Sequence, residues 1–317
     1  MKNKSKVLFI GEAMLELVNT SKNMLAKSFA GDVYNTGVYM KRAYPKLNAS
    51  LLTAVGQDSL SQEFIQKVKN EQLDTKAIGI SEDRHLGTYM VVNDDVGERS
   101  FIYWRSDSAA KSMMSALNSE QSDYIQSTFN NQGVVFFSGI TVAILRPSER
   151  EQFWVMLERL KQAGALIVYD PNYRPALWES VAVAKQEMEK AFTLSDWLMP
   201  GVDDFKTLYG MSTVTQCLDF CAQFNFDELV LKQGEKSVHV VNEDGHFEFE
   251  IVKSNNVVDT TSAGDAFNGI YLGARLSQST PEVATKLANY AASKVIETPG
   301  AIMPSELFAK YWANKPN

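Results

Sequence analysis

Apolar residues fall into two registers along this chain. Short solid runs rich in β-branched and aromatic residues, at 6–10, 51–55, 77–80, 134–137, 166–169, 197–199 and 228–231, have the length of buried strands. Between them lie stretches of helical spacing. One follows Gly31-Asp32 and stops before Pro45, one at 59–70 opens with capping chemistry, one covers 148–162, and one lies near 183–192. Strand and helix alternating in this way predict a parallel sheet covered by helices. Two places break the alternation. Residues 87–93 and 99–105, around Asp94-Asp95-Val96-Gly97, and 237–241 and 247–252, around Asn242-Glu243-Asp244-Gly245, read as hairpins with polar residues interleaved. The first does not belong in a doubly wound core. Together with the run at 13–18 it predicts a small separate sheet, inserted at about 12–19 and 87–105 in a single α/β domain over 1–317.

One stretch stands out from this framework. Val257-Val258-Asp259-Thr260-Thr261-Ser262-Ala263-Gly264-Asp265-Ala266-Phe267 reads as a strand end, a tight turn of small residues and the start of a helix carrying Ile270, Tyr271 and Ala274. The free amides and positive dipole end of a first helical turn attract an anion, and Ala263 and Gly264 leave room for one. A carboxylate repels a phosphate there unless it has a task, such as taking a proton from an attacking hydroxyl, so Asp265 points to phosphoryl transfer. Spacing alone favours the plainer reading of a first-turn charge or cap.

Composition narrows the partners. The 317 residues, 45% apolar, suffice for a large core, and a net charge of -7 argues against a nucleic-acid or membrane-surface partner. Cys217 and Cys221 have no histidine near them in sequence and read as reduced thiols, and His85, His239 and His246 carry no partner pattern. The apolar run from Val7 breaks at Gly11-Glu12, too short for a signal or a membrane span, so the expectation is a cytoplasmic protein. Neither G-x-x-x-x-G-K-[ST] nor G-x-G-x-x-G occurs, so a nucleotide needs another site.

The string Asp259-Thr260-Thr261-x-Ala263-Gly264-Asp265-Ala266-Phe267 resembles the C-terminal signature of the ribokinase (PfkB) family of carbohydrate kinases. The resemblance implies a ribokinase-like three-layer α/β/α sandwich with a small β-sheet lid, using ATP and Mg2+. It implies Asp265 as catalytic base and the amides of Ala263, Gly264 and Asp265 as the anion hole, with Ser262 where most members have Gly. Gly31-Asp32-x-x-Asn35 puts two polar side chains on one helical face and resembles the family's sugar motif, which implies that Gly31, Asp32 and Asn35 meet substrate hydroxyls. Asp170-Pro171-Asn172-Tyr173-Arg174-Pro175 follows a buried strand, where α/β proteins hold ligands. Its likeness to the family's D-x-N-x-R segment assigns Asn172 to nucleotide and Arg174 to substrate or the transferring phosphate. Lys232 and Gly234 match the Lys-x-Gly nucleotide loop, and Ser262, Ala263 and Gly264 complete the expected ATP contacts. The family's Asn-x-x-Glu, which holds water around magnesium, becomes Gly201-Val202-Asp203-Asp204 here, leaving Asp204 as the metal-site residue.

The sugar is read from the lid. Tyr103 and Arg105 lie two apart and face the same side of a strand. Gly97-Glu98-Arg99-x-Phe101-x-Tyr103-Trp104-Arg105-x-x-x-Ala109-Ala110-Lys111 resembles 2-keto-3-deoxygluconate kinases, which implies that Arg105 clamps the substrate carboxylate and that Tyr89 on the facing strand joins it. The expected reaction is transfer of the γ-phosphoryl of Mg-ATP to the 6-hydroxyl of 2-keto-3-deoxygluconate, giving 2-keto-3-deoxy-6-phosphogluconate. The alternatives are another kinase of the family, such as a fructokinase, and a sugar-sensing binding protein that has lost catalysis; an intact Asp265 argues against the second. Exposed lid edges predict a homodimer or larger homo-oligomer.

Overall fold

The computed structural model describes residues 4–316 apart from 22–23, 94–98 and 255. Strand β1 (Lys6–Ile10) is buried along nearly its whole length, as its solid apolar run requires. The chain leaves the main sheet for the antiparallel pair β2 (Met14–Ser21) and β3 (Met24–Ala30), then returns through helix α1 (Asp32–Ala43) to β4 (Asn48–Val55). Helix α2 (Ser59–Asn70), whose Ser61 amide donates to the Asp58 side chain, leads to β5 (Ile78–Ile80). The expected hairpin follows as β6 (Gly87–Asn93) and β7 (Arg99–Trp104); its turn, Asp94-Asp95-Val96-Gly97, and Glu98 lie outside the described residues. Alternation resumes with α3 (Ser119–Thr128), β8 (Gly133–Ser138), α4 (Gly139–Ile144), α5 (Pro147–Gln162), β9 (Leu166–Asp170) and α6 (Val181–Leu194). It continues through β10 (Trp197–Leu198), α7 (Val202–Tyr209), α8 (Val214–Cys221) and β11 (Glu228–Lys232) to the hairpin β12 (Ser237–Asn242) and β13 (Gly245–Glu250). Helices α9 (Ala263–Leu276), α10 (Pro281–Val295) and α11 (Ser305–Ala313) close the chain.

The large sheet runs β13-β12-β11-β10-β9-β8-β1-β4-β5, parallel from β11 to β5, with the β12–β13 hairpin antiparallel at one edge. Alternate residues of each strand feed two separate cores: Val7 and Phe9 pack with α1, α9 and α10, while Leu8 and Ile10 pack with α4 to α8. The result is the three-layer α/β/α sandwich expected. Cys217 and Cys221 are buried, unbridged core thiols on α8. Among the described residues no helix is long and apolar enough to cross a membrane.

The second sheet has the order β3-β2-β6-β7. Its strand β3 escapes a reading by hydrophobic pattern because Met24 to Ser28 are all exposed, so no buried alternation marks it. It ends on buried Phe29 and Ala30 immediately before Gly31, whose own Cβ, if present, would lie 2.1 Å from the Glu12 carbonyl oxygen. Glycine at 31 therefore lets the small sheet and the start of α1 meet.

Candidate active site

The carboxyl ends of β9 and β11, the first turns of α1 and α9 and the inner face of the small sheet enclose a cavity of 680 Å³. Gly31, Asp32, Asn35, Tyr89, Tyr103, Asn172, Arg174, Asp204, Lys232, Ser262, Ala263, Gly264 and Asp265 all line it. A second cavity of 670 Å³ adjoins it, lined by Gly234, Val252, Phe267, Asn289 and Ile296, and shares Arg174, Lys232, Ala263 and Gly264 as a wall. The first turn of α9 thus stands where the two spaces meet.

Ser262 caps this helix in a left-handed conformation, φ 66°, which explains why glycine suits the position. Of the three amides that the resemblance implies for an anion hole, that of Ala263 donates to the Thr260 carbonyl at 3.3 Å. A Cβ added to Gly264 would meet nothing within 4 Å, so the space above this turn is open.

Asp265 and α1 are joined directly. Asn35 accepts from the Gly31 amide through Oδ1 at 3.3 Å and donates through Nδ2 to Asp265 Oδ2 at 2.9 Å. Burial, and then the charge of Asp32, push the Asp265 carboxyl up to about 7. Burial also raises Asp32, against side-chain hydrogen bonds from Ser138 and Asn172. Asn172, held at φ 34°, donates to Asp32 Oδ2 at 2.9 Å, so a residue expected on the nucleotide is tied to the sugar motif. Lys232 Nζ donates to Asn268 Oδ1 at 2.9 Å and lies 3.5 Å from Asp170 Oδ1, while Asn268 donates to Asp170 Oδ2 at 2.7 Å.

Asp204 stands at the cavity wall as a helix-start acid. Its Oδ1 accepts from the Tyr173 amide and its Oδ2 from the Gly201 amide, each at 2.8 Å, and burial followed by the Asp170 charge pushes its carboxyl up to about 6. Asp170 lines the same cavity, so two acids stand at this wall. Among the described residues no group of three or more His, Cys, Asp or Glu could hold a metal outright.

The lid residues divide. Tyr89 and Tyr103 face the cavity, their ring centroids 5.9 Å apart. Arg105 does not line it: its guanidinium pairs with buried Glu12 beside the Tyr103 ring. The Tyr89 hydroxyl donates to buried Glu16. Sequence reasoning passed over Glu12, Glu16 and Asn268. A signal existed for the first two, since a carboxylate inside an apolar run such as Phe9 to Leu17 must find a cationic or donor partner when buried. Asn268 sits three residues after Asp265 on a largely apolar helix and gives no comparable sign.

A family model described as pfkB family carbohydrate kinase matches residues 4–307. The 2-dehydro-3-deoxygluconokinase of Escherichia coli K12 is 35% identical over 306 residues, covering 95% of this chain and 98% of that one. The 2-dehydro-3-deoxygluconokinase of Dickeya dadantii is 32% identical over 305 residues, covering 95% and 97%. Among solved structures, a fructokinase from Vibrio cholerae O395 in a fructose, ADP and calcium ion bound form superposes with a TM-score of 0.82 at 23% identity, covering 97% of this chain and 99% of that one.

Proposed function

The chain belongs to the pfkB family of carbohydrate kinases, and from that premise we propose that it transfers the γ-phosphoryl group of ATP to the 6-hydroxyl of 2-keto-3-deoxygluconate, also called 2-dehydro-3-deoxygluconate. The observation that carries the reading is Asp265, a partly buried carboxylate pushed up to about 7 on a helix start that opens onto both cavities. In this account the sugar lies under the small sheet, which acts as a lid, and the nucleotide lies along β12 and α10. Asp265 takes the proton of the 6-hydroxyl as its oxygen forms a bond to the γ-phosphorus and the bond to the β-phosphate oxygen breaks, releasing ADP. Gly264 and Asp265 amides receive the charge on the moving phosphoryl oxygens, and Arg174, on the shared wall, neutralises it from the other side. Lys232, fixed by Asp170 and Asn268, offers a point charge to the nucleotide phosphates.

Asp170 and Asp204 fit a magnesium ion held through its water shell and the phosphates, which would supply further charge neutralisation when bound. The acid-sugar assignment rests on Arg105 and on relatives at 35% and 32% identity that carry the 2-dehydro-3-deoxygluconokinase name. Likeness to a fructokinase structure at 23% identity speaks for the fold alone. A second copy of the chain fits the outer face of the lid, where Ile102 and Trp104 are 46% and 55% exposed; light scattering reads that state, and a monomer would refute it.

The test is product analysis. With ATP and 2-keto-3-deoxygluconate, phosphorus NMR should show a phosphomonoester coupled to the C6 protons. No ester on the keto acid, with one formed on a neutral ketose, overturns the assignment.

A further inference from the structure

One row of side chains crosses all four strands of the small sheet. Ser28 of β3 pairs with Glu16 of β2, Glu16 with Tyr89 of β6, and Tyr89 with Tyr103 of β7, so the four stand side by side on one face. At one end of the row Tyr103, which lines the cavity, is 53% exposed; behind it Tyr89 is 6% and Glu16 4% exposed. Glu16 does not line the cavity, and its two oxygens are both taken: Oε1 accepts from Ser28 Oγ at 2.8 Å and Oε2 accepts from the Tyr89 hydroxyl.

The chemistry of that second bond has a consequence for whatever occupies the cavity. An ionised carboxylate only accepts, so the single phenolic proton of Tyr89 points at Glu16. The phenol is then left with lone pairs alone to offer the cavity. It can receive a hydrogen bond from a hydroxyl but cannot give one to a carboxylate. Burial, and then the Glu16 charge, also hold the phenol well above its ordinary ionisation range, so it stays neutral while doing this. Arg105, tied to Glu12 by one of its N–H groups, is the opposite case, a group that can only donate.

We infer that Glu16 is a positioning residue that fixes the hydrogen-bonding polarity of Tyr89, so that Tyr89 reads a sugar hydroxyl and takes no part in gripping the substrate's acid group. The inference rests on the reading that this face of the cavity holds the sugar. It divides recognition on the lid between an acceptor for hydroxyls and a donor for the carboxylate, and it separates Tyr89 from the clamp role that the family resemblance implied.

The experiment is a double-mutant cycle on Glu16 and Tyr89, read as KM and kcat with 2-keto-3-deoxygluconate. Tyr89→Phe removes the acceptor. Glu16→Gln keeps the shape but supplies an amide that can donate to the phenol and turn its proton toward the sugar. Each should raise KM about five- to tenfold, the worth of one hydrogen bond, with kcat within about twofold, and the double variant should be no worse than Tyr89→Phe. Losses that multiply, or a Glu16→Gln enzyme with wild-type KM, overturn the inference. The wild-type complex with the keto acid gives a second reading that needs no variant: Tyr89 Oη should lie within hydrogen-bonding distance of a substrate hydroxyl, and contact with the substrate carboxylate instead would refute it. If a neutral ketose proves the better substrate yet its hydroxyl meets Tyr89, the acid-sugar reading fails and this one stands.

Discussion

Asn35 and Asp265, 230 residues apart in sequence, are joined by a hydrogen bond of 2.9 Å that links the first turns of α1 and α9. The helices approach this closely because of Gly269, where a Cβ would come within 2.3 Å of the Thr36 carbonyl oxygen. The bond helps keep Asp265 charged, but burial and Asp32 outweigh it and push the carboxyl up to about 7. A base works only when deprotonated, so kcat/KM should fall about tenfold per pH unit below about pH 7. Asp32→Asn removes the second cause and should move this limb to lower pH. A wild-type limb near the ordinary carboxylate range, unmoved in the variant, would refute the assignment of Asp265.

The same group affects stability. Its folded pKa, about 7, lies above the unfolded value of 3.8, so folding takes up a proton between these two. The contribution is complete below the unfolded pKa and is lost as pH rises through about 7. Asp265→Asn keeps an acceptor for Asn35 without the charge. It should therefore melt above wild type at pH 8, by a margin that shrinks toward pH 4, while turnover drops roughly a hundred- to ten-thousandfold. An equal or lower melting temperature at pH 8 would count against a strained carboxylate.

Gly264 separates fold from function. Its side-chain direction is open, and valine is a better helix former than glycine, so Gly264→Val should lose no thermal stability. The added methyl groups occupy the place proposed for the transferring phosphoryl group and should cost on the order of a hundredfold in kcat/KM for ATP. Wild-type kinetics in a stable variant would move the anion hole elsewhere.

Asp204 serves two backbone amides, so truncation to Ala removes a helix cap as well as a charge. Asp204→Asn is the cleaner substitution. If the charge orders the water shell of magnesium, the metal concentration for half-maximal rate should rise severalfold while the maximal rate is largely kept. An unchanged magnesium dependence would leave Asp204 as a cap alone.

Most of the sandwich was legible because strands buried on both faces must be solidly apolar and the helices between them must not be; residues 59–70 and 87–93 match the observed elements in full. Strand β3 was not legible, since Met24 to Ser28 are exposed and only its last two residues, Phe29 and Ala30, are buried. The candidate site divides in the same way. Residues 259–267 form a contiguous string whose turn, helix start and acid are local properties. The partners of Arg105 and Tyr89 are not local: Glu12, in the connection between β1 and β2, and Glu16, on β2, lie 93 and 73 residues away, and the assembly of the small sheet brings them together.

We propose that this kinase selects an acid sugar through Arg105. A guanidinium has five N–H donors, of which Glu12 takes one; since Arg105 stands outside the cavity wall, gripping a substrate carboxylate with two of the others requires its side chain to turn toward the sugar. The deciding measurement is the ratio of kcat/KM for 2-keto-3-deoxygluconate to that for D-fructose, in the wild type and in Arg105→Ala. The wild type should favour the keto acid, and the variant should lose on the order of 2 to 5 kcal/mol, between one and four decades, on the keto acid alone. A wild-type preference for fructose, or an equal loss on both sugars, would contradict it.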